Sequence, residues 1–188
     1  EVARLHSDPA FRARIAAHPD RYVLASGVAD IERAAAGGRL AIGFDLEGAL
    51  PLLEQPAMVA LYRDLGVRQI HLAYNRNNSV ADGCHDVERG LTPLGRRIVV
   101  AINDAGVLMD CSHTGRRCSL DIMTVSPAPV VFSHSNPQAL VDHGRNVTDE
   151  QIREIDKLRE QTQALLARKQ VVETLQTNRT EAVHLLDQ

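Results

Sequence analysis

Val107-Leu108-Met109-Asp110-Cys111-Ser112-His113 and Pro129-Val130-Val131-Phe132-Ser133-His134-Ser135 are the two stretches whose reading decides the fold. Each is a short apolar run rich in β-prone residues, and each closes on Ser-His. Such runs, bounded by Gly or Pro, fit strands buried on both faces. The segment between them, Thr114 to Ser126, has the length of one crossover helix. A right-handed strand–helix–strand unit makes the two strands parallel neighbours, with their carboxyl ends at the same edge of the sheet. His113 and His134 then stand side by side at the edge where α/β folds keep their active sites. A lone histidine there is usually structural. Two in equivalent positions point to a site.

Outward from this unit the same alternation continues. Arg39-Leu40-Ala41-Ile42-Gly43-Phe44 reads as a strand running into Asp45-Leu46-Glu47-Gly48, and Val67 to Ala73 as another, closing on Tyr74-Asn75. Leu52 to Leu65 reads as the helix between them. Thr92-Pro93 caps a helix from Leu94 to Ala105 that Gly106 stops. Pro9 to Ala17 and Val28 to Ala36 are expected to be helical, and residues 1–36 carry no strand in this reading. A short helix is expected after Asn136-Pro137, and another starts at Thr148-Asp149-Glu150. The polar stretch Asn75 to Gly90 begins where a strand ends and is long for a compact domain, which favours a functional loop beside the site. Repeated β-α units of this kind imply a parallel sheet, open or closed into a barrel. Four strands are about half of an eight-stranded barrel, which needs roughly 250 residues.

Composition excludes several classes of function. The chain has 188 residues, 44% hydrophobic and 24% charged, with a formal net charge of −3 and no basic block. Nucleic acid and anionic membranes are therefore unexpected partners. No run of ~18 apolar residues offers a membrane span, and no signal-like segment is evident. The three cysteines, Cys84, Cys111 and Cys118, form no framework spacing and fit a reducing compartment, so a cytoplasmic location is expected. Aromatic residues make up 3% and Trp is absent, so the core must be aliphatic.

Strand-end residues carry the chemistry. Glu47 closes one apolar run and precedes Gly48; a site carboxylate and a turn or capping acid are both consistent with that position. Together with His113 and His134 it makes a carboxylate and two imidazoles, the ligand set of a catalytic zinc that keeps a position for water. Such an ion acidifies water and polarises a carbonyl, as amide hydrolysis requires. Tyr74 ends a neighbouring strand. Arg145 lies a short way past His134 and suits a two-pronged contact with a substrate carboxylate. His6-Ser7-Asp8 has a metal-like spacing but precedes a helix start, so it reads as a capping and surface group.

The chain resembles the membrane dipeptidase (renal dipeptidase) family of zinc peptidases in its bacterial form. The resemblance rests on Gly43-Phe44-Asp45-Leu46-Glu47-Gly48, Leu72-Ala73-Tyr74-Asn75-Arg76-Asn77-Asn78 and Leu91-Thr92-Pro93-Leu94-Gly95. It continues through Asp110-Cys111-Ser112-His113, Val131-Phe132-Ser133-His134-Ser135 and Arg145-Asn146-Val147, in family order. It implies a (β/α)8 TIM-type metallo-hydrolase barrel, of which this chain is the central portion, with two zinc ions at the carboxyl-end face. By resemblance, Glu47 bridges both ions and His113 and His134 bind one of them. Arg145, with Asn146 beside it, would bind the free carboxylate of a dipeptide, and Tyr74 would steady the oxyanion. The implied reaction is hydrolysis of a dipeptide by metal-activated hydroxide.

Departures from the family bound this expectation. Its other metal is held by a His-x-Asp pair on the first barrel strand, which His6-Ser7-Asp8 does not replace, and a later substrate-handling Asp has no counterpart. The likeness is expected to run through residues 1–155, leaving 156–188 as a helical tail in which Leu158, Leu165 and Val172 recur every seven residues. Two other readings stay open. One is a non-enzymatic half-barrel that self-associates, or pairs with another chain, through open sheet edges or the 156–188 helix. The other is a metal-dependent amidohydrolase acting on a different amide.

Overall fold

The structure, a computed structural model, describes residues 9–186. His6-Ser7-Asp8 lies outside them. Among the described residues the order is α1 (Pro9–Ala17), β1 (Tyr22–Leu24), α2 (Val28–Ala36), β2 (Leu40–Ile42) and β3 (Phe44–Glu47). It continues with α3 (Met58–Asp64), β4 (Val67–His71), α4 (Pro93–Asp104), β5 (Leu108–Asp110), α5 (Arg116–Val125), β6 (Val130–Val131) and α6 (Asp149–Leu186). The principal sheet is all parallel, with strand order β3-β4-β5-β6. Each strand lies beside the next one in sequence, as in a β/α barrel that advances one unit at a time.

Strand register separates two layers of side chains. Leu46, Ile70, Met109 and Val130 are aligned across the four strands. All four are buried in the apolar core with Val59, Ile98, Ile102 and Ile122 from the covering helices. The next row is Glu47, His71, Asp110 and Val131. Alternation along a strand turns that row to the opposite face. Three of its four members are ionisable, so the sheet is apolar toward its helices and polar toward its concave side.

Helix α4 starts and stops as its sequence indicates. Thr92 Oγ1 accepts from the Gly95 N–H at 3.0 Å, Pro93 fills the first turn, and Gly106 at φ +65° ends it in a conformation that favours glycine.

Several expectations are corrected. The strand expected over 39–44 is two strands in two sheets, because the chain turns at Gly43. β2 pairs in parallel with β1 (Tyr22↔Leu40 to Leu24↔Ile42), whereas β3 opens the main sheet. Strand β1 is also new: three residues between turns are too few to display an alternating pattern. The helix expected over 52–65 is confined to Met58–Asp64. Leu53 and Glu54 adopt φ 51° and 60°, and the residue before Pro56 is driven out of helical geometry. The segment after Asn136-Pro137 forms turns rather than a helix. Residues 149 to 186 make one continuous helix. Among the described residues, no helix is long and apolar enough to cross a membrane.

Candidate metal centre

Glu47 is the last residue of β3, and His113 and His134 each lie three residues past the end of β5 and β6. Asp110 and Val131, which end those strands, are register partners. The two Ser-His pairs therefore leave the sheet at the same level. Glu47 Oε1 is 3.4 Å from His134 Nε2 and 3.7 Å from His113 Nε2. The two Nε2 atoms are 2.8 Å apart. Three donors from three strands thus converge, as the sequence led one to expect.

Local backbone geometry aims these groups. His113 sits at φ 66° and its contact Asn75 at φ 64°, both in the left-handed region, which Asn and His enter more readily than most side chains. Asn75 Oδ1 lies 2.8 Å from His113 Nδ1, and Arg145 Nε approaches the same nitrogen at 3.3 Å. A proton on Nδ1 would turn the Nε2 lone pair toward the rim, where His134 Nε2 also lies. Arg145 lies along the same ring, with Nη2 3.0 Å from Nε2, so it competes with a cation for that lone pair. Burial, followed by the cationic charges of Arg145, His134 and His71, holds His113 down to about 4. Neutral imidazole is the form that binds metal.

Tyr74 stacks on His113 with ring centroids 4.4 Å apart and planes 28° apart. Asn146 spends both amide ends on its own loop, accepting from the Asn136 N–H (3.2 Å) and donating to the Val141 carbonyl (2.7 Å). It braces the segment that carries Arg145.

The 75–90 loop borders the site, as its length suggested. Cys84 donates its N–H to the His113 carbonyl at 3.0 Å, and His85 donates to the Asn75 carbonyl at 3.0 Å. Buried Asp82 accepts from the backbone N–H groups of Arg89 and Gly90. A Cβ on Gly83 would meet the Asn75 carbonyl carbon at 2.1 Å, so only glycine permits that close approach. All three cysteines are free, and burial pushes the Cys118 thiol up to about 12.

Sequence reasoning missed His71 and Asp110. Both are fully buried, and His71 Nε2 lies 3.0 Å from Asp110 Oδ2. The contact is off the hydrogen-bond line, leaving that nitrogen without an aligned partner, and it is better described as an ion pair. His71 Nδ1 faces the Leu46 carbonyl at 3.1 Å, so acceptors flank both nitrogens. Burial works against a charged His71, but the Asp110 carboxylate outweighs it and raises the pKa. Burial likewise acts to raise Asp110, and His71 holds its carboxyl well below the usual range. Asp110, His71 and His134 also bring donor atoms within 4.8 Å of one another, as do Glu47, His113 and His134. The available signal was an ionisable residue inside each buried run, where apolar side chains are the norm.

A parallel β/α unit with a carboxylate and two imidazoles at its strand ends defines the class of metal-site β/α barrels. Residues 3–181 match the sequence model of the membrane dipeptidase family (peptidase family M19), and the chain belongs to that family. A relative, dipeptidase tcpJ of Claviceps purpurea, is 36% identical over 135 residues, covering 70% of this chain and 32% of its own. An uncharacterized dipeptidase of Schizosaccharomyces pombe is 40% identical over 108 residues, covering 56% and 26%. Among solved structures, an amidohydrolase from Pseudomonas aeruginosa superposes with a TM-score of 0.76 at 32% identity, over 79% of this chain and 46% of that one. A metallopeptidase from Rhodobacter sphaeroides, liganded with a phosphinate mimic of the dipeptide L-Ala-D-Ala, gives 0.71 at 28%, over 74% and 42%. The chain thus spans about a third of the length of that Claviceps relative and under half of these structures.

Proposed function

We propose that this rim holds a divalent ion, zinc by its donor set, and that the chain contributes it to the hydrolysis of dipeptides. The observation that carries the reading is the approach of Glu47 Oε1 to both imidazole Nε2 atoms, at 3.4 and 3.7 Å. Mixed nitrogen and carboxylate ligands, three in number, suit a catalytic zinc. A bound ion would supply Lewis acidity, polarising the scissile carbonyl and acidifying water.

The remaining work falls to side chains of this chain. Asn75 keeps the His113 proton on Nδ1. Arg145 presents a guanidinium beside the ligands, and a substrate carboxylate would draw it off the His113 ring into a two-pronged contact. Tyr74 shields one face of His113 and stands within reach of a tetrahedral oxyanion. The phosphinate dipeptide mimic bound by the Rhodobacter metallopeptidase supports a dipeptide as substrate. In this reading residues 1–155 are the barrel portion, and the helix beyond is an addition to it.

Zinc should raise the melting temperature of the chain, and His113→Ala should abolish the rise. A wild-type chain indifferent to zinc overturns the metal site. For the substrate, hydrolysis of dipeptides should be lost on blocking their carboxylate; equal turnover of blocked and free substrates would instead indicate another amidohydrolase.

A second reading, association with another copy or chain, is favoured by a cleft of about 780 Å³ at the amino-terminal ends of β3 to β6, away from the metal rim. Val28, Ile31, Phe44, Leu108 and Pro129 line it, and Val28 is 69% exposed. Sedimentation as a monomer at all concentrations refutes self-association.

A further inference from the structure

We propose that Asp110 is a positioning residue, a single buried carboxylate that sets the spacing of all three metal ligands. The proposal rests on the metal-site reading above. Asp110 Oδ1 accepts from the Ser112 N–H at 2.8 Å and from the Ser133 N–H at 3.4 Å. Those residues directly precede His113 and His134. One oxygen atom thus ties together the backbone of both imidazole ligands across β5 and β6. A cross-link from Ser112 Oγ, which accepts from the His134 N–H at 3.3 Å, braces the same pair.

The other oxygen reaches the third ligand. Asp110 Oδ2 accepts from Gln69 Nε2 at 2.6 Å and pairs with His71 at 3.0 Å. His71 in turn meets the carbonyl of Leu46 at 3.1 Å, and Leu46 directly precedes Glu47. Every ligand is therefore preceded by a residue whose backbone is held by Asp110 or by the His71 that Asp110 holds. Partners of this kind orient ligands and govern metal affinity without touching the ion.

Cobalt(II) titration of the whole chain, with visible absorption as the readout, tests this. Asp110→Asn keeps an amide oxygen for both N–H groups but loses the charge that pairs with His71, so it should weaken binding by less than the double change. The double change Asp110→Ala with His71→Phe removes both members of the ion pair, so no buried charge is stranded. It should fold by circular dichroism yet bind cobalt about 10–100-fold more weakly, with an altered absorption band. Gln69→Leu, which leaves the ion pair intact, should weaken binding by a smaller factor. Wild-type affinity and absorption in a folded form of either variant overturns the proposal. So does loss of one whole equivalent of cobalt in Asp110→Asn with the remaining binding intact, since Asp110 would then be a ligand itself. Glu47→Gln is the separate control: if it binds as wild type does, the metal-site reading fails, and this inference with it.

Discussion

The rim of the sheet and the outer helix α6 are built on opposite terms. At the rim, polar groups are buried and held: Asp110 and His71 have no exposed surface, and Asp110 bonds to Gln69 within β4 and to Ser112 and Ser133 just past β5 and β6. Along α6, the described side chains that meet the body lie in the first turns. Gln151 donates to Ser119 Oγ at 2.6 Å, Arg116 pairs with Glu150, and Ile155 and Leu158 pack on the core. Past Thr162 every described side chain is exposed. A short segment in a low-dielectric setting is therefore tightly specified, while the described contacts of a 38-residue helix gather near its start. Residue number is no guide to how much structure a segment determines.

The comparison breaks most readily at Asp110. In Asp110→Ala a protonated His71 would be buried without its partner, a situation that costs about 3–5 kcal/mol. Urea denaturation should show a loss in that range, and a loss below about 1 kcal/mol would mean that His71 is neutral in the native state. Gly83→Ala is next. Its Cβ would displace the Asn75 backbone, at a cost of about 1–3 kcal/mol for overpacking. Because Asn75 orients His113, zinc affinity should fall along with stability; an intact affinity would uncouple the loop from the site.

These two positions also show what the sequence could disclose. Glu47, His113 and His134 were legible because each ends an apolar run, and parallel topology then forces such ends together. The buried pair His71 and Asp110 was not. Asp110 lies in a run read as apolar, and its importance depends on N–H groups 2 and 23 residues away, which no local pattern encodes. The break at Gly43 was hidden for a related reason: a continuous β-prone run does not reveal that its halves join different sheets. Similarly, Asn146 carries the family pattern, but only the fold shows its amide spent on the loop.

On the α6 side the expected effects shrink. Ile155→Ala removes a half-buried side chain that lines a hollow with Pro129 and Val130 beside β6, worth about 1–2 kcal/mol. The melting temperature should drop while zinc affinity stays unchanged, because α6 supplies no ligand. A change in affinity would show that the helix reaches the rim through β6.

The most diagnostic effect is the shape of stability against pH in the chelator-treated chain. His113 is depressed from 6.5 to about 4, so between those values the unfolded chain binds more protons and stability falls as pH drops. His71 is raised from 6.5, so its contribution is complete below that value and is lost as pH climbs through the raised one. The two slopes have opposite signs and meet near pH 6.5, giving a maximum there. His113→Phe should flatten the acid limb alone, and His71→Phe the alkaline limb alone. Because the two rings lie 5.9 Å apart between centroids, each variant also removes a neighbour of the other. If His113→Phe flattens both limbs, the two rings titrate as one coupled unit, and the division between a metal-facing and a buried imidazole is not the right one.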